Sequence, residues 1–320
     1  MFASDTWSAS PRLHITASAR LNRTVVRSTL TSTRGPQPQE RFTYTRLNPS
    51  LGAAFEAGAG WTLVANAAQG NRVPTVIELG CADPAQPCRL PVGLQSDPYL
   101  RQVVSRTVEG GARFQRGASS ASLSLYRTAN RDDILFFSSG LSRQGYFANF
   151  ARTRHQGLDL AVRAALGQVQ LNASYNYLDA QYDARATLFT GVRTVQVAPG
   201  TSLAGLPRHS VKLGAQWQVS DALALGADAQ AFSRMGTQGN EDGSIAGLDV
   251  LGYGLLSVRA SWAPAARWEL YARVDNVLDR RHANFAAVGR DLFSAVPHAD
   301  ARFIAPGAPR MLRFGVRYRY

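Results

Sequence analysis

The residue types able to do chemistry in this chain are few and scattered. His14, His155, His209, His282 and His298 are its five histidines, and none sits in a G-x-S-x-G or H-E-x-x-H context. One segment, RHSV at 208–211, puts a base next to a nucleophile. In a strand, adjacent side chains point to opposite faces, so His209 and Ser210 cannot meet as base and nucleophile. Asp132 with Asp133, and the loop GNEDG at 239–243, offer the oxygen ligands that hard cations take. Neither has the alternating spacing of a calcium loop, and both read as polar turns. Catalysis is not expected of these residues, and no cofactor or metal site is expected.

Two cysteines, Cys81 and Cys88, lie in the proline-containing stretch GCADPAQPCR at 80–89. A close pair in an otherwise cysteine-free chain reads as a small disulfide-closed loop in an oxidising compartment. A metal site would need further ligands nearby, and a redox motif a shorter spacing.

Charge is the next signal. The formal charge is +13, and Lys212 is the only lysine among 35 basic residues. The arginines are spread along the chain rather than gathered in a helix or an aromatic RNA-reading motif, so nucleic acid is not expected as a partner. Codon bias accounts for the choice of arginine; a positive wet surface or contact with anionic headgroups accounts for part of the charge.

The elements that must carry these residues are strands. Leu13, Ile15, Ala17, Ala19 and Leu21 alternate with polar neighbours, as do Val169, Leu171, Ala173, Tyr175 and Tyr177, and Trp268, Leu270, Ala272 and Val274. Period-two patterning of this length excludes helices as the main element. The last nine residues, LRFGVRYRY, set Leu312, Phe314, Val316, Tyr318 and Tyr320 on one face and Arg313, Arg317 and Arg319 on the other. No run approaches the ~18 apolar residues of a spanning helix, but a barrel spans a bilayer using only every second residue.

About twelve strands are predicted, near 12–24, 42–55, 61–71, 102–115, 119–133, 147–165, 169–181, 208–218, 223–233, 253–262, 268–277 and 311–320. Their connections alternate strictly between short and long. Short links fall at 56–60, 116–118, 166–168, 219–222 and 263–267; long ones at 25–41, 72–101, 134–146, 182–207, 234–252 and 278–310. In an up-and-down sheet this leaves one edge with tight turns and the other with long loops, the asymmetry of an outer-membrane barrel. Residues 1–7 read as the tail of an earlier strand. Trp61, Tyr175, Tyr177, Trp217, Trp262 and Trp268 near strand ends are candidates for the aromatic girdles at the two interfaces.

Three segments carry a family resemblance. GNRVPTVIEL at 70–79 is similar to the G-x-[RK]-x-P-[ST]-x-x-E-L signature of TonB-dependent outer-membrane receptors, with Arg72, Pro74 and Glu78 at its fixed positions. VDNVLDRRH at 274–282 resembles their V-x-N-L-F-D-x-x-Y, with Asn276 and Asp279 in place and His282 where tyrosine is usual. Pro306 and Gly307 precede a final strand ending on an aromatic, as in the family. Pro74 cannot donate to a ladder and ends its strand; Asn276 and Asp279 are read as turn residues, not ligands.

The resemblance implies an antiparallel up-and-down transmembrane barrel of about 22 strands around a plug. Residues 1–320 are then the C-terminal portion of such a barrel, with no plug and no signal peptide in view, and are not expected to transport as they stand. The family takes up scarce ligands at the Gram-negative outer membrane; the positive charge favours an anionic one such as a ferric siderophore. Implied partners are outer-membrane lipid and lipopolysaccharide, the barrel-assembly machinery that reads Tyr318 and Tyr320, and TonB through a plug. The alternatives are a self-contained twelve-strand pore or translocator and, less favoured, an outer-membrane phospholipase-like enzyme.

Overall fold

The computed structural model describes residues 1–28, 31–32, 35–36, 40–80, 88–89, 100–138, 144–189, 193–291 and 298–319. Thirteen strands follow one another in a single antiparallel sheet in chain order. They are β1 (Phe2–Ser10), β2 (Leu13–Ser28), β3 (Glu40–Gly58), β4 (Trp61–Arg72), β5 (Val103–Arg116), β6 (Ser119–Ser138), β7 (Gln144–Leu166), β8 (Val169–Tyr182), β9 (His209–Gln218), β10 (Leu223–Phe232), β11 (Tyr253–Ala265), β12 (Trp268–Asp275) and β13 (Met311–Tyr318). The sheet has one strand more than expected, because the N-terminal residues form the whole of β1, paired to β2 from Phe2↔Arg20 to Ser10↔Leu13.

The strands are also longer than their patterning suggests on the long-loop side. The 134–146 connection continues the ladder: β6 and β7 stay paired out to Gly145↔Ser138. The 25–41 link likewise shrinks, with β2 and β3 paired to Ser28↔Glu40. Above the band the apolar residues no longer alternate with polar ones, as in the unbroken apolar run at 134–137, so the period-two signal fades while the backbone ladder goes on. Three further pairs of strands lie in the loops: 31–32 with 35–36, Ala186–Phe189 with Thr194–Val197, and Ala283–Asp291 with His298–Pro306.

Register fixes the two faces of the sheet, because directly paired residues share one. Tyr318 pairs with Trp268, Val316 with Leu270, Phe314 with Ala272 and Leu312 with Val274. The same face continues through Trp262, Ala260 and Val258 of β11, Leu225 and Ala227 of β10, Trp217, Ala215 and Leu213 of β9 and Leu171, Ala173 and Tyr175 of β8. This apolar face is the lipid-facing side of a barrel wall; the other face carries most of the charge.

All five tryptophans lie on the apolar face within a few residues of the short turns: Trp7, Trp61, Trp217, Trp262 and Trp268. Trp61 packs on Phe114 at a centroid distance of 5.0 Å, and Trp268 on Tyr318 at 4.9 Å. Toward the long loops the same face carries Tyr175, Tyr177 and His209, with Tyr175 Oη 2.8 Å from His209 Nδ1. Along β9, Trp217 and His209 are eight residues apart. At ~3.4 Å per residue and a tilt of ~40° that is about 21 Å of height, close to the ~25 Å apolar band of such barrels.

The buried hydrophobic residues sit above this band, among loops and strand extensions, in three small clusters. Leu79, Leu100, Val103 and Ile134 form one; Phe150, Tyr182, Leu188, Val195 and Val197 a second; Met235, Val250 and Ala286 a third. In the sheet below, apolar side chains face outward instead, which is the inverse of a water-surrounded protein.

Candidate functional site: the polar wall and its loop-side mouth

The polar wall is built by the residues between the outward ones. On β12 and β13 it forms an ionic ladder. Glu269 accepts from Arg317 at 2.8 Å and lies 3.5 Å from Arg319. Asp275 is shared by Arg273, at 2.7 Å, and Arg313. One strand further, Arg259 of β11 pairs with Asp228 of β10. Gly315 lies directly opposite Tyr271, and a Cβ there would run into the tyrosine ring, so the aromatic lies flat over the glycine.

Farther round the wall the cations lose their partners. Arg20 and Arg46 of β2 and β3, Arg113 of β5, Arg163 of β7 and Lys212 of β9 face the same side. None is in a salt bridge among the described residues. The acids of this stretch bond to neutral groups instead: Glu109 to Ser124 and Asp159 to Asn176. The wall therefore carries a net positive field along its inner surface.

At the loop side, GNRVPTVIEL closes into a compact knot. Thr75 caps the five-residue helix Val76–Gly80: its Oγ1 accepts from the Glu78 amide at 3.2 Å, and Glu78 Oε2 accepts from the Thr75 amide at 2.7 Å. This reciprocal pair is a capping box. Arg72 then grips both Glu78 oxygens, at 2.9 and 2.8 Å. Burial pushes the Glu78 carboxyl up, but Arg72 and the Thr75 amide together hold it below the ordinary carboxylate range. Pro74 and Leu79 are buried, and Leu79 enters the first core cluster. Beside the knot, Asn71 Oδ1 accepts from Asn22 and Asn48 at 2.9 and 2.7 Å, and its amide donates to Gln102 at 2.8 Å. No helix was expected in this segment, yet the T-x-x-E spacing that signals a capping box stands in the sequence.

VDNVLDRRH closes the other end of the sheet. Asn276 and Asp279 both take left-handed backbone conformations, each with φ of 50°. Asn276 is 4% exposed. Its Oδ1 accepts from the Arg280 amide at 2.9 Å, and its Nδ2 donates to the carbonyls of Arg280 and Ala308, both at 3.1 Å. Asp279 Oδ1 accepts from the Arg310 amide at 3.2 Å. Together they tie the end of β12 to the start of β13 across a 35-residue connection. His282 packs at a tilt on Tyr253 with ring centroids 4.5 Å apart, and a Cβ at Gly307 would enter the imidazole.

Between the tops of β8, β9 and β10 lies a cavity of about 360 Å³, lined among others by Leu178, Arg208, Arg234, Met235 and Glu241. The GNEDG loop forms its side. Asn240 and Asp242 are both held by Arg193, at 3.1 and 3.3 Å, and Glu241 Oε1 accepts from the Gly239 amide at 2.9 Å. Glu241 Oε2 is buried with no hydrogen-bond partner among the described residues. Burial pushes the Glu241 carboxyl up; the Gly239 amide and Arg193 oppose that only in part.

The remaining sequence candidates lie apart from one another. His209 is on the outer face with Tyr175, while Ser210 pairs with Asn176 on the polar face. His14 Nδ1 lies 3.0 Å from Ser8 Oγ. Asp132 is taken by Arg101 at 2.8 Å and Asp133 by Thr153 at 2.6 Å. Among the described residues no group of three or more His, Cys, Asp or Glu is placed to hold a metal ion. Cys81 and Tyr320 lie outside the described residues, as does the side chain of Cys88, so the disulfide and the terminal aromatic fall there too. Tyr318 stands on the outer face beside Trp268.

A sheet of long antiparallel strands with an apolar outer band, a charged inner wall, tight turns on one rim and capped loops on the other defines a barrel wall of the outer-membrane receptor class. The family model "TonB dependent receptor-like, beta-barrel" matches residues 1–277, and the chain belongs to that family. The metal-pseudopaline receptor CntO of Pseudomonas aeruginosa is 26% identical over 180 residues, which are 56% of this chain and 22% of the relative. The siderophore receptor PiuA from Acinetobacter baumannii superposes with a TM-score of 0.74 at 13% identity, over 100% of this chain and 42% of that one. The copper transporter OprC does so with 0.70 at 17% identity, over 99% and 47%. The chain thus spans less than half the length of these relatives. The family is one of receptors and transporters rather than enzymes.

Proposed function

We propose that this chain forms part of the barrel wall of an outer-membrane receptor that takes up an anionic metal chelate of the ferric siderophore class, driven by TonB. The observation that carries the reading is the set of cations Arg20, Arg46, Arg113, Arg163 and Lys212 on the inner wall, none in a salt bridge among the described residues. A concave surface of one sign concentrates ligands of the other and speeds their capture. The metal rides inside its chelator, so the protein needs cationic and polar contacts rather than metal ligands. CntO is titled a metal-pseudopaline receptor and PiuA a siderophore receptor.

In this reading the short turns face the periplasm and the long loops the cell exterior. Energy enters through a plug domain contacted by TonB, and the barrel-assembly machinery inserts the protein by its final strand. The test is uptake of radio-iron siderophores by cells in which the whole gene is deleted and then restored. Loss on deletion and recovery on restoration are expected. Unchanged uptake and growth under iron limitation would overturn the reading. Fractionation should find the protein in outer membranes.

A further inference from the structure

The cavity at the tops of β8, β9 and β10 is lined by opposite charges that do not meet. Arg208, Arg234 and Glu241 all border it. Among the described residues no salt bridge joins either arginine to that acid. Each arginine has a carboxylate within reach, but a loose one: Arg208 lies 3.8 Å from Asp179, and Arg234 3.6 Å from Asp249. Both separations exceed the ~2.7–2.9 Å of a charge-assisted hydrogen bond. Arg208 also donates to Ser202 Oγ at 3.0 Å. A guanidinium carries five N–H donors, so both side chains keep donors for a further carboxylate.

Glu241 is the reverse case. Its Oε1 accepts from the Gly239 amide at 2.9 Å, while Oε2 is sealed from water and has no partner among the described residues. A buried carboxylate oxygen without a donor is costly, and a donor that brings positive charge relieves it best. The remaining wall is apolar and fixed. Leu178, Leu203 and Met235 supply hydrocarbon. The Leu203 amide donates to the Ala180 carbonyl and the Gly205 amide to the Gly236 carbonyl, both at 2.9 Å. Asn240 holds the Ile245 amide and carbonyl at 3.1 and 2.9 Å. A preformed apolar cavity with a few convergent polar groups is the form small-molecule sites take, and about 360 Å³ suits a small one.

We propose that this cavity receives a zwitterionic aminocarboxylate group, with its carboxylate on Arg208 and Arg234 and its ammonium on Glu241. One hydrogen bond holds the Glu241 carboxylate, so a small rotation presents Oε2 to the ammonium. A simple anion would leave that oxygen unpaired and meet its charge. A simple amine would meet two guanidiniums. A group carrying both signs satisfies all three residues. The inference deepens the uptake reading above and rests on it in one respect: there the aminocarboxylate is an arm of the metal chelate.

The test is calorimetric titration of the purified full-length protein with four five-carbon probes: L-norvaline, 5-aminopentanoate, pentanoate and pentylammonium. At least one zwitterion should bind about tenfold or more tighter than either single-charge probe. Arg208→Gln should reduce that zwitterion to the level of pentylammonium, and Glu241→Gln to the level of pentanoate. Pentanoate or pentylammonium binding as tightly as the zwitterions, no binding of any probe, or variants that keep the wild-type ratios would each overturn the proposal. If a variant fails to fold, the wild-type series decides alone. Failure of siderophore uptake leaves these ratios untouched, whereas equal ratios beside intact uptake defeat the cavity assignment only.

Discussion

Arg72 and Glu78, six residues apart, meet as a two-oxygen ion pair that locks a strand end to the first turn of a helix. The Glu78 side chain is 12% exposed and that of Arg72 47%. The glutamate also completes the capping box, so it works for backbone and side chain at once. Glu78→Gln is expected to loosen the 73–80 knot by roughly 1 kcal/mol, since the half-exposed arginine discounts the pair. Its carboxyl is lowered in the folded protein, so its contribution is fully present above the unfolded value of about 4.3 and fades as pH falls through the folded one. Amide exchange at Val76–Leu79 against pH checks this; a profile unchanged by the substitution counts against it.

Glu241 should behave with the opposite sign. Burial raises its carboxyl, so the folded loop favours the protonated form and ionisation above that raised value costs stability. Glu241→Gln should therefore protect the 237–250 loop from proteolysis at neutral pH. The advantage should shrink as pH falls toward the ordinary carboxylate range. A variant that is cut faster at pH 7 would contradict the sign.

Leu213 and Lys212 are neighbours on β9 that face opposite sides. Leu213→Arg puts a charge in the apolar band and should cost about 2–4 kcal/mol of folding stability in lipid. Gln216→Arg, on the inner wall of the same strand, should cost little. Urea titration of the folded barrel in vesicles separates the two, and equal costs would mean the faces are reversed.

Asn276→Ala removes three hydrogen bonds at a buried left-handed position and should destabilise the closure of β12 onto β13 by about 2–3 kcal/mol. Asn276→Gly keeps the backbone freedom without the side chain, so it should recover only the conformational part. If the two variants were equally stable, the backbone conformation would contribute nothing.

Period-two alternation made the strands legible wherever one face is apolar, as in Leu213 through Trp217 or Leu312 through Tyr318. It read β1 only as the tail of an earlier strand over residues 1–7, and it stopped short above the band, where the ladder of β6 and β7 runs on from Ile134 to Ser138 through residues that do not alternate. The family motifs pointed to the right segments, but the role of Glu78 depends on a helix only five residues long, too short for any periodicity to reveal. The pairing of Arg27 with Arg41 across β2 and β3 was invisible for another reason. The two become neighbours only once the register is fixed, and no one-dimensional pattern encodes that. Likewise the cavity beside Glu241 is assembled from the end of β8 and the two long connections that follow β8 and β10.

The five tryptophans all stand on the short-turn rim, none on the opposite one. Indole fluorescence in this protein is thus a probe of a single leaflet. Brominated or spin-labelled lipid confined to the leaflet at the turn side should quench most of the emission, while the same quencher in the other leaflet should leave it bright. Orientation in a vesicle, which labelling usually has to establish, could be read from the unmodified chain with a fluorimeter.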